Sequence, residues 1–207
     1  MEHDEALARM REIQRIMERT TLYTLLPGTP AVIGGVLALI GCAISYAMIH
    51  SLDFARAFSL PLQAQIGFCI MWTVIGVAAV AQEIALTARA AQRQGIPPMG
   101  RPWRVAGLSL TPSVFVAVVL TIKLLMDGDI QYIVPVWMMC YGTGVYAAGL
   151  FSLRMPRLLG LAFIAMGTVG LLVFPQYGLL LAALSFGLLH IIFGLLVINQ
   201  AGRGHRK

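Results

Sequence analysis

Apolar residues run along this chain in long blocks rather than alternating with polar ones. An apolar stretch of about 20 residues crosses the ~30 Å hydrocarbon layer as a helix. Six stretches qualify: 31–50, 62–82, 106–126, 130–152, 158–174 and 177–199. The connections at 127–129 (Asp127, Gly128, Asp129) and 175–176 (Pro175, Gln176) are so short that their flanking helices must be antiparallel neighbours. Pro156 and Pro175 bracket the fifth and shortest span. The pattern predicts an all-α, polytopic membrane protein with six transmembrane helices over residues 30–200.

Composition agrees. Of 207 residues, 58% are hydrophobic and only 12% charged, with a mean hydropathy of +0.81. An ordinary soluble chain is about a quarter charged. The basic residues then orient the spans. Thirteen of the fifteen Lys and Arg residues fall in the N-terminal tail, the loop after span two, the loop after span four and the C-terminal tail, whereas Arg56 and Lys123 alone fall on the other side. Basic residues are held cytoplasmic, so both termini are expected in the cytosol. The net charge of +6 is explained by this sidedness. Nucleic-acid binding would instead gather basic and aromatic residues on one soluble module, and is not expected.

Residues 2–19 predict an amphipathic cytoplasmic helix. Leu7, Met10, Ile13, Ile16 and Met17 share one half of the helical wheel, and Asp4, Glu5, Arg9, Arg11, Glu12, Arg15, Glu18 and Arg19 occupy the other. Two readings stand: a helix lying on the cytoplasmic leaflet, or an arm that docks onto another subunit or membrane protein. The mixed polar face argues against pure attraction to anionic lipid. These charged first residues also do not read as a cleavable signal peptide. Pro27, Gly28 and Pro30 then stop this helix and re-aim the chain. Residues 1–29 are thus arm and linker, and 201–207 a basic tail. Span two is expected to continue as helix through Arg89 and Arg93, ending at Gly95 before Pro97 and Pro98. With Arg101 and Arg104 these arginines read as an anchor to phosphate headgroups.

Chemistry is sparse inside the spans. Lys123 lies near a helix end and can snorkel. Glu83 closes span two, where it can reach water, Arg89 or an arginine of the tail. His190 is the one intramembrane candidate for a ligand contact. With Gly187 and Gly194 it forms an i, i+3, i+7 stripe, placing it against a closely approaching helix. Tyr141, Thr143 and Tyr146 are its candidate partners, either in a neutral hydrogen-bonded cluster or as the lining of a ligand site. A haem would need a second histidine at matched depth, and His50 sits at the opposite end of its span. No cofactor is expected, Cys42, Cys69 and Cys140 lack metal-ligand spacing and read as packing residues, and no catalytic constellation is found.

Glycine carries a clearer message. Gly34, Ala38 and Cys42 repeat every four residues, as do Gly144 and Ala148, and such small residues let helices approach where lipid removes the hydrophobic drive between them. Pro112 and Pro135 inside spans three and four predict kinks.

The start "MREIQRIMERTTLYTLLPGTPAVIGG", six spans and a last span "GLLHIIFGLLVI" resemble a group of small bacterial integral membrane proteins of uncharacterised function. The resemblance implies a bacterial cytoplasmic membrane and six helices, and supplies no catalytic residues. The expected function is that of a non-enzymatic scaffold, accessory or regulatory subunit, a homo-oligomer or a partner of another membrane protein through residues 2–19. The alternative is binding or transport of a lipid, quinone or other mostly apolar molecule through a kinked, Gly-rich bundle.

Overall fold

A computed structural model describes residues 9–10, 28–93, 101–150 and 154–204. It is all-helical, with no strand among the described residues. Six long helices follow one another: α1 (Gly28–Ile49), α2 (Leu62–Arg93), α3 (Arg101–Asp127), α4 (Ile133–Gly149), α5 (Arg154–Leu172) and α6. The last runs through three segments, an α-helix Gly178–Ala182, a π-helix Ala183–Leu189 and an α-helix His190–Gly204. Five helices are long and apolar enough to cross a membrane, and α4, at 17 residues, is slightly shorter than they are. The chain is a multi-pass membrane protein. The amphipathic arm expected at 2–19 lies outside the described residues except for Arg9 and Met10, which are helical and exposed. The expected end of α2 at Gly95 also lies outside them.

Paired helices are joined by 3-10 turns at one end of the bundle, here the connector end: Phe54–Ser59 between α1 and α2, Ile130–Tyr132 between α3 and α4, and Pro175–Tyr177 between α5 and α6. The turns touch one another. The segment 51–61 folds inward against the bundle. Asp53 caps its turn by accepting from the Ala55 N–H at 2.9 Å, and Gln65 on α2 donates to the carbonyls of Phe58 (2.9 Å) and Leu60 (2.7 Å). Ala57 is buried, while Phe54 and Phe58 pack edge-on against Phe68. The Leu179 N–H donates to the Leu52 carbonyl at 2.9 Å, fastening the start of α6 to the same segment.

The helices form two lobes. In one, α1 packs between α2 and the His190–Gly204 part of α6; in the other, α4 packs between α3 and α5. The contacts that join the lobes gather at the connector end, around Gly178–Ala182 and the three turns.

Close approach depends on glycine at the crossings within lobes. A methyl group added at Gly194 would stand 2.5 Å from the Gly28 carbonyl oxygen, and one at Gly35 would stand 2.6 Å from that of Gly187. Gly142 and Gly160 meet in the same way between α4 and α5. Polar pairs lock adjacent helices: the Trp72 indole N–H donates to Ser45 Oγ at 3.1 Å, and that of Trp137 to Thr121 Oγ1 at 2.8 Å. Where no second helix approaches, at Gly67, Gly76 and Gly107, an added methyl meets nothing within 4 Å.

Several expectations are corrected. Gly34 meets only the Gln82 amide, an ordinary contact at 3.7 Å, and the tight crossing on α1 is made by Gly28 and Gly35. Pro135 falls in the first turn of α4, where a missing N–H interrupts no helical bond. Pro112 does lie inside α3. Cys69 is exposed on α2 rather than packed. Lys123, by contrast, reaches toward the end of α3 as expected and pairs there with Asp127, one turn on.

These environments predict opposite signs for one chemical change. Gly194→Ala places a methyl against backbone that cannot step aside, and thermal unfolding in detergent should show a loss of about 1–3 kcal/mol. Gly76→Ala in open space should be neutral or gain roughly 0.5–1 kcal/mol from helix propensity.

Candidate functional site

The strongest candidate from the sequence is His190, and its surroundings begin with the π-helix that precedes it. A continuous α-helix would carry Gly187, His190 and Gly194 on one stripe. In the structure Gly187 and Gly194 both face α1, against Leu39 and Gly35 and against Gly28 and Val32, while His190 faces the other lobe. The expected stripe is therefore split. Ile191, not His190, lies with Gly187 and Gly194 against α1, and the π segment ends at Leu189, immediately before the imidazole.

There His190 Nε2 lies 2.8 Å from the Tyr141 hydroxyl of α4. Nδ1 lies 3.4 Å from the Ser185 carbonyl, a long contact from within the π segment. A carbonyl only accepts, so Nδ1 carries the proton and donates. Nε2 of the neutral ring then accepts from the Tyr141 O–H. Ser185 itself is fully buried and donates its hydroxyl to the Leu181 carbonyl at 2.7 Å.

Four rings close around this bond. Tyr141 and Phe163 come from one lobe, Phe186 and His190 from the other, and all six pairs among them are in contact, with centroids 5.0–6.2 Å apart. Phe163 is fully buried, and Tyr141 and His190 are half-buried. The volume beside the imidazole is thus filled by the chain's own aromatic groups. The cluster is also a principal side-chain bridge between the lobes, and each such aromatic pair contributes about 0.5–1.5 kcal/mol beyond its buried area.

The other candidates are placed elsewhere. Thr143 is exposed on α4 and donates to the Met139 carbonyl of its own helix at 2.8 Å. Tyr146 packs over Gly160. Gly144 receives Leu110 and Ser113 of α3, Ala38 is buried on α1, and Ala148 is half-buried. Arg89 and Arg93 are exposed at the end of α2, whereas the side chains of Arg101 and Arg104 lie outside the described ones. Among the described residues no group of His, Cys, Asp and Glu could hold a metal.

Two features escaped sequence reading. Phe163 and Phe186 completed the ring cluster, and only helix order and rotation could have singled them out from the other phenylalanines. A shallow recess of 360 Å³ also opens sideways on α2, lined by Phe58, Gln65, Ile66, Cys69, Ile70 and Thr73. Gln65 and Thr73 spend their donors on backbone carbonyls, so this surface is apolar in effect.

No family model, curated protein or solved structure matches this chain. Its geometry alone carries the functional reading.

Tyr141→Phe removes the donor to Nε2 while keeping the ring. Hydrogen bonds of this kind between membrane helices average about 0.6 kcal/mol, with a maximum near 1.7, and unfolding should register a loss in that range. Nitrogen-15 NMR of the wild-type protein should find a neutral imidazole protonated at Nδ1.

Proposed function

We propose that this protein is a non-enzymatic subunit of a bacterial cytoplasmic membrane, a scaffold, accessory or regulatory component that works through helix–helix association. In this reading six helices span the bilayer with both termini in the cytosol, as the distribution of basic residues requires. Arg89, Arg93, Arg101 and Arg104 then meet headgroup phosphates. The protein associates with further copies of itself or with another membrane protein, and residues 2–19 form the docking arm.

The observation that carries the reading is the ring cluster. Binding or passage of a lipid, quinone or similar molecule asks for space beside His190, and Tyr141, Phe163 and Phe186 stand there instead. Two surfaces supply what association needs. Met10, on the apolar face of the arm, is 61% exposed. In addition, α2 and α3 each pack against a single long helix of the bundle and leave their remaining faces open, including Gly67, Gly76 and the recess beside Cys69.

Deletion of residues 1–20 is expected to dissolve the native complex in mild detergent while leaving the helical core folded. An unchanged complex after the deletion would remove the arm from this role. A chain keeping Cys69 as its only cysteine should form a cross-linked dimer in membranes with a short bismaleimide. Its absence, with the thiol still reactive, would take α2 out of any contact between copies.

A further inference from the structure

The recess on α2 is held open by the fold at the connector end. The turn Phe54–Ser59 packs on the head of the helix, with Phe58 edge-on to Phe68. Gln65 fastens it there through the carbonyls of Phe58 and Leu60. From this turn the recess runs along α2 between Leu62 and Val74, about 18 Å at 1.5 Å per residue. Half of a ~30 Å hydrocarbon layer is about 15 Å. The recess is thus one leaflet deep and starts at the connector end. It stops at Val74 while α2 continues to Arg93. A neighbouring helix, about 10 Å across, would lie along more of α2 than this, and the recess suits a narrower occupant. Its volume, 360 Å³, is that of a small ligand site.

The lining sets the chemistry. Leu62, Ile66, Ile70 and Val74 present exposed aliphatic side chains, and Gln65 and Thr73 give their donors to backbone carbonyls. Along its length the recess therefore offers hydrocarbon to hydrocarbon. At its rim the chemistry changes. Arg56 is exposed in the last turn of the same 3-10 helix, two residues before Phe58 and about 4 Å of rise away. Asp53, at the start of that turn, caps it through the Ala55 N–H. The sidedness that accounts for thirteen basic residues gives no reason for Arg56. Lys123, the other exception, has Asp127. A guanidinium above an apolar slot one leaflet deep complements both parts of a phospholipid, since its planar fork matches a phosphate.

We infer that the recess is a phospholipid site, with one acyl chain lying along α2 from Leu62 to Val74 and the phosphate held by Arg56. The site is complete within one copy of the chain. The inference therefore goes beyond the proposed association and does not depend on it.

The test titrates phosphatidylglycerol onto the full chain in mild detergent and counts bound lipid by native mass spectrometry. One saturable lipid per chain is expected. Arg56→Gln should weaken it roughly tenfold, and diacylglycerol, which has the chains without the phosphate, should bind the wild type about as weakly. Glycerol phosphate, which has the phosphate without the chains, should not compete. Thr73→Phe and, at a second exposed position, Cys69→Phe fill the recess and should abolish saturable binding, whereas Val77→Phe, just beyond it, should not. Phosphatidylglycerol with a diazirine midway along one chain should label α2 between Ile66 and Val74. Saturable binding that survives both filling variants, labelling that spares this stretch, or no saturable lipid at all overturns the site. Equal affinity for the wild type and Arg56→Gln, or for the two lipids, overturns it by removing the phosphate from Arg56. Competition by glycerol phosphate overturns it too, by showing an anion site that needs no acyl chain.

Discussion

Contact between bare backbones holds α1 and α6 of this protein together. In lipid, apolar side chains gain nothing by leaving their solvent for each other, and association must come from packing and hydrogen bonds. Gly28 against Gly194 and Gly35 against Gly187 supply that packing, two crossings seven residues apart on each helix. Much of the bundle's arrangement follows from it. With α6 seated on α1, Trp72 of α2 can reach Ser45 on another side of α1, and the lobe has its three helices.

The π-helix is a consequence of the same constraint. The connector end of α6 is fixed by Leu179 on Leu52, and the other end by Gly187 and Gly194 on α1. Between these anchors the helix is wound as a π-helix over Ala183–Leu189. His190 follows this segment and meets Tyr141 of the other lobe. The imidazole, the most conspicuous residue of the spans, thus acts as a side-chain clasp across the lobes. Its ring partners and its two polar contacts are what a structural histidine in a membrane requires.

The helices were legible in the sequence because the bilayer imposes a length that composition must satisfy. The run at 31–50 overruns the end of α1 by one residue, the run at 62–82 sits within α2, and even the helical continuation through Arg89 and Arg93 was readable from its polar but unbroken pattern. Tyr141 as the partner of His190 was also within reach, since few neutral donors were on offer. What could not be read depends on rotation. A spacing of four marks Gly34 and Ala38 as readily as a spacing of seven marks Gly28 and Gly35, and only the neighbouring helix chooses. The inward fold of 51–61 was hidden for a related reason. Its phenylalanines are too few to make a span, and their burial needs Phe68 and α6 already in place.

The joining of α1 to α6 also sets an order on biogenesis. Chains are made from the N-terminus, so α1 is complete long before residues 187–194 exist. Until then its glycine face has no native occupant, and the carbonyl of Leu52 waits for the N–H of Leu179. The first hairpin can enter the membrane early but can be finished only by the last. A nascent chain stalled before α6 would therefore present an unfilled seam to whatever helices the membrane supplies, and α1 is covered only once α6 has been made.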